Sequence, residues 1–136
     1  MSIKTFRFFK LIFIVLLTLT SSGCFNLVGD STNSFVKDKV NIERTKKAIL
    51  FVKEGGATVA DSYQLSIVDY STAFDKAAKG NTFIVDGDHG RARLTPESVV
   101  LTWRANDTLL ITYDKKLRIF LQEKAIDGVV VNYKDN

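Results

Sequence analysis

Residues 98–114 read SVVLTWRANDTLLITYD, and the alternation inside them constrains the fold more than any other feature of the chain. Val99, Leu101 and Trp103 take every second position of one run, and Leu109, Ile111 and Tyr113 do the same in the next. A period of two is the pattern of a half-buried strand. Two such runs joined by a short polar link predict an antiparallel hairpin. The link decides the register. A two-residue turn at Asn106 and Asp107 would set Trp103 against Leu110 and put the two apolar sets on opposite faces. A three-residue loop of Ala105, Asn106 and Asp107 sets Trp103 against Leu109, Leu101 against Ile111 and Val99 against Tyr113. A slip of one residue reverses every side chain, so burial selects the three-residue loop. Asn106 or Asp107 would supply the left-handed conformation that such a loop needs.

Strand signals continue on both sides of the hairpin. Ala48, Ile49, Leu50, Phe51 and Val52 form a short unbroken apolar run, which predicts a strand buried on both faces. Lys53, Glu54, Gly55 and Gly56 end it as a turn or bulge. Tyr63, Leu65 and Ile67 alternate with Gln64 and Ser66. Residues 82–85 read as a further strand, and residues 75–80 as a loop or a single helical turn. Leu117, Ile119 and Leu121 alternate again. Asp127-Gly128 is a strong turn signal, and Val129, Val131 and Tyr133 make the last strand. About seven short strands, with turn signals between them, predict an all-β domain: an antiparallel β-sandwich or a partly closed barrel.

The N-terminus has a different grammar. Lys4, Arg7 and Lys10 precede LIFIVLLTL at residues 11–19, and Thr20, Ser21, Ser22 and Gly23 follow. A basic start, a short apolar core and a small-residue exit make a secretory signal peptide. The core is shorter than the roughly 20 residues of a membrane span. The chain's one cysteine, Cys24, comes directly after the exit. An exported thiol without a partner is unusual, since exported cysteines pair. Ser21-Ser22-Gly23-Cys24 resembles the lipobox of bacterial lipoproteins, although Ser21 stands where leucine is preferred. That resemblance implies acylation of the Cys24 thiol and cleavage before it. The expected division is a signal peptide at 1–23, a lipidated N-terminus and tether at 24–45, and a β domain at 46–136. Within 24–45, residues 25–34 are mostly small and polar. Residues 35–47 are compatible with a short helix or an extended lead-in.

Removing the signal peptide changes the charge balance. The whole chain carries 19 Lys and Arg against 15 Asp and Glu, a net +4. Three of the cations and none of the acids lie in residues 1–23, so the remainder is close to neutral at +1. No basic stripe of the kind that contacts phosphates is left, and nucleic acid is not an expected partner. Adhesion of the folded part to anionic lipid is not expected on net charge either. With no second cysteine, the domain depends on packing rather than disulfides.

Chemical motifs are sparse. Asp86, Asp88 and Glu97 match three oxygen-ligand positions of a helix–loop–helix calcium loop. Arg91 stands where glycine is required, Arg93 where an apolar residue belongs, and the flanks are strands. No metal site is therefore expected. The bland reading is an exposed connection whose Asp and Arg charges offset each other. His89 is the one histidine, with no second histidine or thiol to complete a zinc site. No serine lies in a nucleophile-elbow context, so no catalytic residue and no cofactor is assigned, and His89 reads as a solvated loop residue. Trp103, Tyr113, Tyr133, Phe83 and Phe51 could line a cleft, but aromatics at alternating strand positions belong to a core.

One set of residues goes further. Lys47-x-Ile49-x-Phe51, Gly56-Ala57-Thr58 and Ser62-x-Gln64-Leu65-Ser66-Ile67 are followed by Trp103-x-x-x-Asp107-x-Leu109-x-Ile111-x-Tyr113 and Gly128-Val129-x-Val131-x-Tyr133. Across residues 45–134 this resembles a family of small, uncharacterised bacterial proteins, many of them predicted lipoproteins. Forms of that family often carry a cysteine before Gly-Ala-Thr, where this chain has Gly55. The resemblance implies a fold and a compartment and no chemistry. It makes the turn of Gly56 and Thr58, with Ser62 and Gln64, the expected binding surface. The expected function is a lipid-anchored protein on the exported side of the bacterial cell envelope, contacting a protein or small ligand. The alternatives are an envelope enzyme or enzyme inhibitor using the loop 86–97, and a structural accessory of a membrane complex.

Overall fold

The structure, a computed structural model, describes residues 32–76 and 78–136. The expected signal peptide, Cys24 and residues 25–31 of the expected tether lie outside the described residues. Among the described residues nine strands form two sheets: β1 (Asn33–Val40), β2 (Lys46–Lys53), β3 (Ser62–Asp69), β4 (Phe83–Asp86), β5 (Val99–Ala105), β6 (Thr108–Tyr113), β7 (Arg118–Gln122), β8 (Ala125–Ile126) and β9 (Val129–Asp135). Sheet 1 has the order β1-β2-β3-β4-β7 and sheet 2 the order β5-β6-β9-β8. Neither closes on itself, so the architecture is a sandwich rather than a barrel.

Two of the nine strands were not anticipated. β1 pairs antiparallel with β2 from Asn33↔Lys53 to Val40↔Lys47. Sheet 1 thus takes in residues that the sequence reading placed in the tether and its lead-in. A bulge at Val36 breaks the alternation there, which is why periodicity gave no signal. β8 is only two residues long, paired with β9 across the Asp127-Gly128 turn. Both turn residues have positive φ, 47° and 76°, as a two-residue hairpin turn requires. The pairing of β6 with β9 is parallel, the exception in an otherwise antiparallel fold. The chain makes it by leaving sheet 2 after β6, adding β7 to sheet 1, and returning through β8.

The central hairpin has the expected register: Trp103 faces Leu109, Leu101 faces Ile111 and Val99 faces Tyr113. Its link is built differently. Ala105 pairs with Thr108, leaving a two-residue turn and a bulge at Arg104. The bulge supplies the extra residue, so neither Asn106 nor Asp107 takes a positive φ. The core between the sheets joins Ala48, Leu50, Leu65, Ile67, Phe83 and Val85 to Val99, Leu101, Leu109, Ile111, Val129 and Val131. Phe83 lies 5.3 Å from the rings of both Tyr113 and Tyr133. The aromatics are core residues or pack against the core, as expected, with Phe51 buried on the far side of sheet 1. Two polar clasps close the sandwich edges. Trp103 Nε1 donates to the Lys39 carbonyl at 2.9 Å, and the Tyr133 hydroxyl donates to the Glu123 carbonyl at 2.6 Å.

Candidate functional site

The last residue of β4 and the first of β7 are register partners: Asp86 and Arg118. Asp86 is 4% exposed, so its carboxylate needs compensation. Arg118 supplies it through two donors, Nε to Oδ1 at 3.1 Å and Nη2 to Oδ2 at 2.5 Å. The Asp88 N–H adds a third bond to Oδ1, at 2.9 Å. Burial pushes the Asp86 pKa up, but the guanidinium and the Asp88 N–H outweigh it and hold the carboxyl below the usual carboxylate range. The hydrogen bond to Asp86 likewise raises the Arg118 pKa.

The same carboxylate shapes the loop after β4. With its N–H fixed on Asp86, Asp88 turns into the left-handed region at φ 45°, followed by His89 at 57° and Gly90 at 87°. Asp is among the side chains that tolerate this conformation, and here its neighbour's side chain mimics a backbone turn. The turn closes with Ala92 N–H on the Gly87 carbonyl at 3.0 Å. It brings His89 Nε2 to 3.1 Å from Arg118 Nη1. A guanidinium N–H can only donate, so in this contact Nε2 is the acceptor. His89 is exposed but not solitary.

Beside this cluster lies an open groove of about 560 Å³, lined by Asp88, Arg91, Lys115, Lys116, Leu117 and Arg118. Leu117, 6% exposed, roots the turn between β6 and β7 in the core. Asp114 Oδ1 caps that turn by accepting the Lys116 N–H at 2.9 Å. Arg91 pairs with Asp88 at 3.2 Å. Lys115 and Lys116 make no salt bridge among the described residues. Four cations against one acid suit the groove to an oxyanion, with Arg118 held in a fixed orientation by Asp86.

The residues singled out in the sequence are placed as follows. Gly56 and Thr58 are exposed on the turn between β2 and β3, and Ser62 is half-buried. Gln64 is 5% exposed and works inside the fold. Its Nε2 donates to Ser62 Oγ at 3.1 Å and its Oε1 accepts the Gly80 N–H at 2.7 Å. It is a packing residue, and the expected surface is reduced to Gly56, Thr58 and part of Ser62. In the loop 86–97, Asp86 is committed to Arg118 and Asp88 to Arg91. Glu97 is exposed. No group of His, Cys, Asp and Glu among the described residues is arranged to hold a metal. The charge offset expected within that loop is supplied for Asp86 from another strand. Sequence reasoning missed Arg118, Lys115 and Lys116, although the cluster DKKLR at 114–118 was there to be read. Comparisons of the chain with protein-family models, with curated proteins and with solved structures return no match.

Proposed function

We propose that the protein is a lipid-anchored bacterial envelope protein whose β-sandwich is a binding module. The observation that carries this reading is the position of the single cysteine, directly after an apolar stretch with a basic start and small-residue exit. The resemblance of residues 45–134 to small bacterial proteins, many of them predicted lipoproteins, supports the same compartment. Two or three acyl chains give a stable anchor, where one gives marginal binding.

Binding is preferred to catalysis because of where the polar groups point. The His89 Nε2 faces a guanidinium and the Asp86 carboxylate is buried and accepts three hydrogen bonds, so neither is presented as a base. What the fold offers to solvent is a cationic groove beside an exposed, uncharged turn. The decisive experiment is fractionation of cells expressing wild type and Cys24→Ser. Wild type is expected in the membrane fraction with an acylated N-terminal cysteine by mass spectrometry. Cys24→Ser is expected to be released or left unprocessed. Wild-type protein found soluble and unacylated would overturn the reading.

A further inference from the structure

Strand register fixes which loops share an end of the sandwich. Asn33 pairs with Lys53, Lys53 with Ser62, Ser62 with Asp86, and Asp86 with Arg118. These five residues form one row across sheet 1, about 19 Å wide at ~4.8 Å per strand. The chain enters the fold at the Asn33 end of that row. Just beyond it lie the turn over residues 54–61, the turn after β4, and the turn before β7. The last two hold the cationic groove. The first carries GGATVA at residues 55–60, without a charge, and exposes Val59 by 64%. This tip is a built structure. Gly55 N–H donates to Asp61 Oδ1 at 3.0 Å, and a Cβ on Gly55 would meet the Val59 carbonyl oxygen at 2.0 Å. The Asn106-Asp107 turn is at the opposite end, where Asn41, just past the far end of β1, donates to the Asn106 carbonyl at 3.0 Å.

We infer that the entry end of the sandwich docks on the bilayer that holds the anchor. The tip over residues 55–60 meets the headgroup layer, and Lys115 and Lys116 meet lipid phosphates. The inference rests on the anchored reading above. Asn33 is nine residues after Cys24, a reach of about 31 Å when fully extended. β2, at eight residues, spans about 23 Å, so the far end reaches the membrane only with about three quarters of the tether's reach spent along the domain. The near end reaches it with the tether slack. Arg91 and Arg118 are committed to Asp88 and Asp86, which leaves the two lysines for phosphate oxygens. Glu54 and Asp61 bound the tip and hold the contact at the headgroups, since carboxylates do not enter hydrocarbon.

The test uses the acylated full-length product, in which the Cys24 thiol is blocked, on vesicles of phosphatidylcholine with or without phosphatidylglycerol. A polarity-sensitive dye is placed at Val59→Cys or, at the opposite end, at Asp107→Cys. The expected result is a blue shift at position 59 that grows with phosphatidylglycerol, and none at position 107. Adding Lys115→Glu and Lys116→Glu should lower the docked-to-undocked ratio by about thirtyfold or more while the chain stays on the vesicles. Equal responses at the two positions, or indifference to the charge reversals, would overturn docking and leave the anchor standing. Inorganic phosphate that raises the melting temperature, without any vesicle response at position 59, would mark a site for free anions and also overturn it. Wild type that does not stay on vesicles would overturn the anchor, and docking with it.

Discussion

The two sheets treat their outer faces in opposite ways. In sheet 2 the burial alternates: Val99 and Leu101 are buried, while Val100 and Thr102 between them are exposed. Val129 and Val131 alternate with Val130 and Asn132 in the same manner. In the central strands of sheet 1 the alternation disappears. The four central residues of β2, Ala48, Ile49, Leu50 and Phe51, are all buried, as are all four residues of β4. The cause is the length of the connections. The segment between β3 and β4 is long enough to fold back over sheet 1, where Phe74 lies 5.7 Å from Phe51 and 5.8 Å from Phe35. Asn33 pins this segment by donating to the Ala78 carbonyl at 2.6 Å. The hairpins of sheet 2 turn in two residues, too short to cover anything. Whether a sheet face is wet is decided here by its loops rather than by its strands.

The largest effect should come from removing the contact between strand and covering loop. Phe51 is 2% exposed, yet it lies outside the cluster between the sheets. If the loop makes a second core there, Phe51→Ala should cost about 3–5 kcal/mol, as for any buried aromatic. Urea denaturation followed by Trp103 fluorescence would read it. A cost of about 1 kcal/mol or less would mean that the loop lies over sheet 1 without packing on it.

The next largest concerns the ion pair on sheet 1. Arg118→Met leaves the Asp86 carboxylate buried without a cation and should cost about 3 kcal/mol at neutral pH. That is the low end for a buried pair, because the Arg118 side chain is 39% exposed. The sign with pH is determined. In wild type the Asp86 pKa lies below its unfolded value of ~3.9, so its stabilisation is present above that pH and lost as pH falls through the folded value. In the variant the guanidinium no longer opposes burial and the Asp88 N–H acts alone against it, so the pKa rises relative to wild type and protonation costs less. The gap in melting temperature between the two should therefore narrow from pH 7 toward pH 3. A constant gap would show that Arg118 acts through packing alone.

Legibility in the sequence follows the same division between the sheets. The register of the β5–β6 hairpin could be read to the residue, though not the bulge at Arg104, because one wet face makes alternation an unambiguous signal. The unbroken run at residues 48–52 announced burial on both faces but not what would cover it. Phe74, the cover, sits in a stretch without periodicity. Gln64 and Ser66 alternate with apolar residues, as water-facing positions do, yet they bond to Gly80 and Asn81 beneath the covering loop. Polar identity alone did not distinguish solvent from a polar partner. The Asp86–Arg118 pair was hidden for another reason. Thirty-two positions separate the two residues, and only the β4–β7 register, interrupted by a bulge, brings them together.

A smaller effect tests the edge where the sheets meet. Trp103 is half-buried against the core, and its Nε1–H bonds the carbonyl of Lys39 on β1. Trp103→Phe keeps an aromatic ring but removes that donor. The hydrogen bond is exposed, so water can replace it, and the cost should be about 1 kcal/mol. Amide exchange at Lys39 and Val40 should quicken more than at Leu109 in the same variant. Uniform exchange would mean that the clasp does not hold β1 to sheet 2.

The smallest effect is the sharpest contrast with Phe51. Val100 lies on the bare face of sheet 2, 43% exposed, directly opposite Thr112 in the register. Threonine keeps the β-branched shape that a strand favours, and at this position its hydroxyl can meet water. Val100→Thr should therefore change stability by no more than ~0.5 kcal/mol, the usual range for a surface substitution. Val130, 49% exposed on β9, should behave alike, and the double variant should equal the sum of the two. The measurement is urea denaturation at two protein concentrations well apart. A loss above about 1 kcal/mol that grows with protein concentration would mean that this face is covered in solution by another copy of the chain. The wet face of sheet 2 would then be a property of the isolated chain only, and the contrast between the sheets would reduce to a contrast between a cover built from the chain's own loop and one supplied from outside.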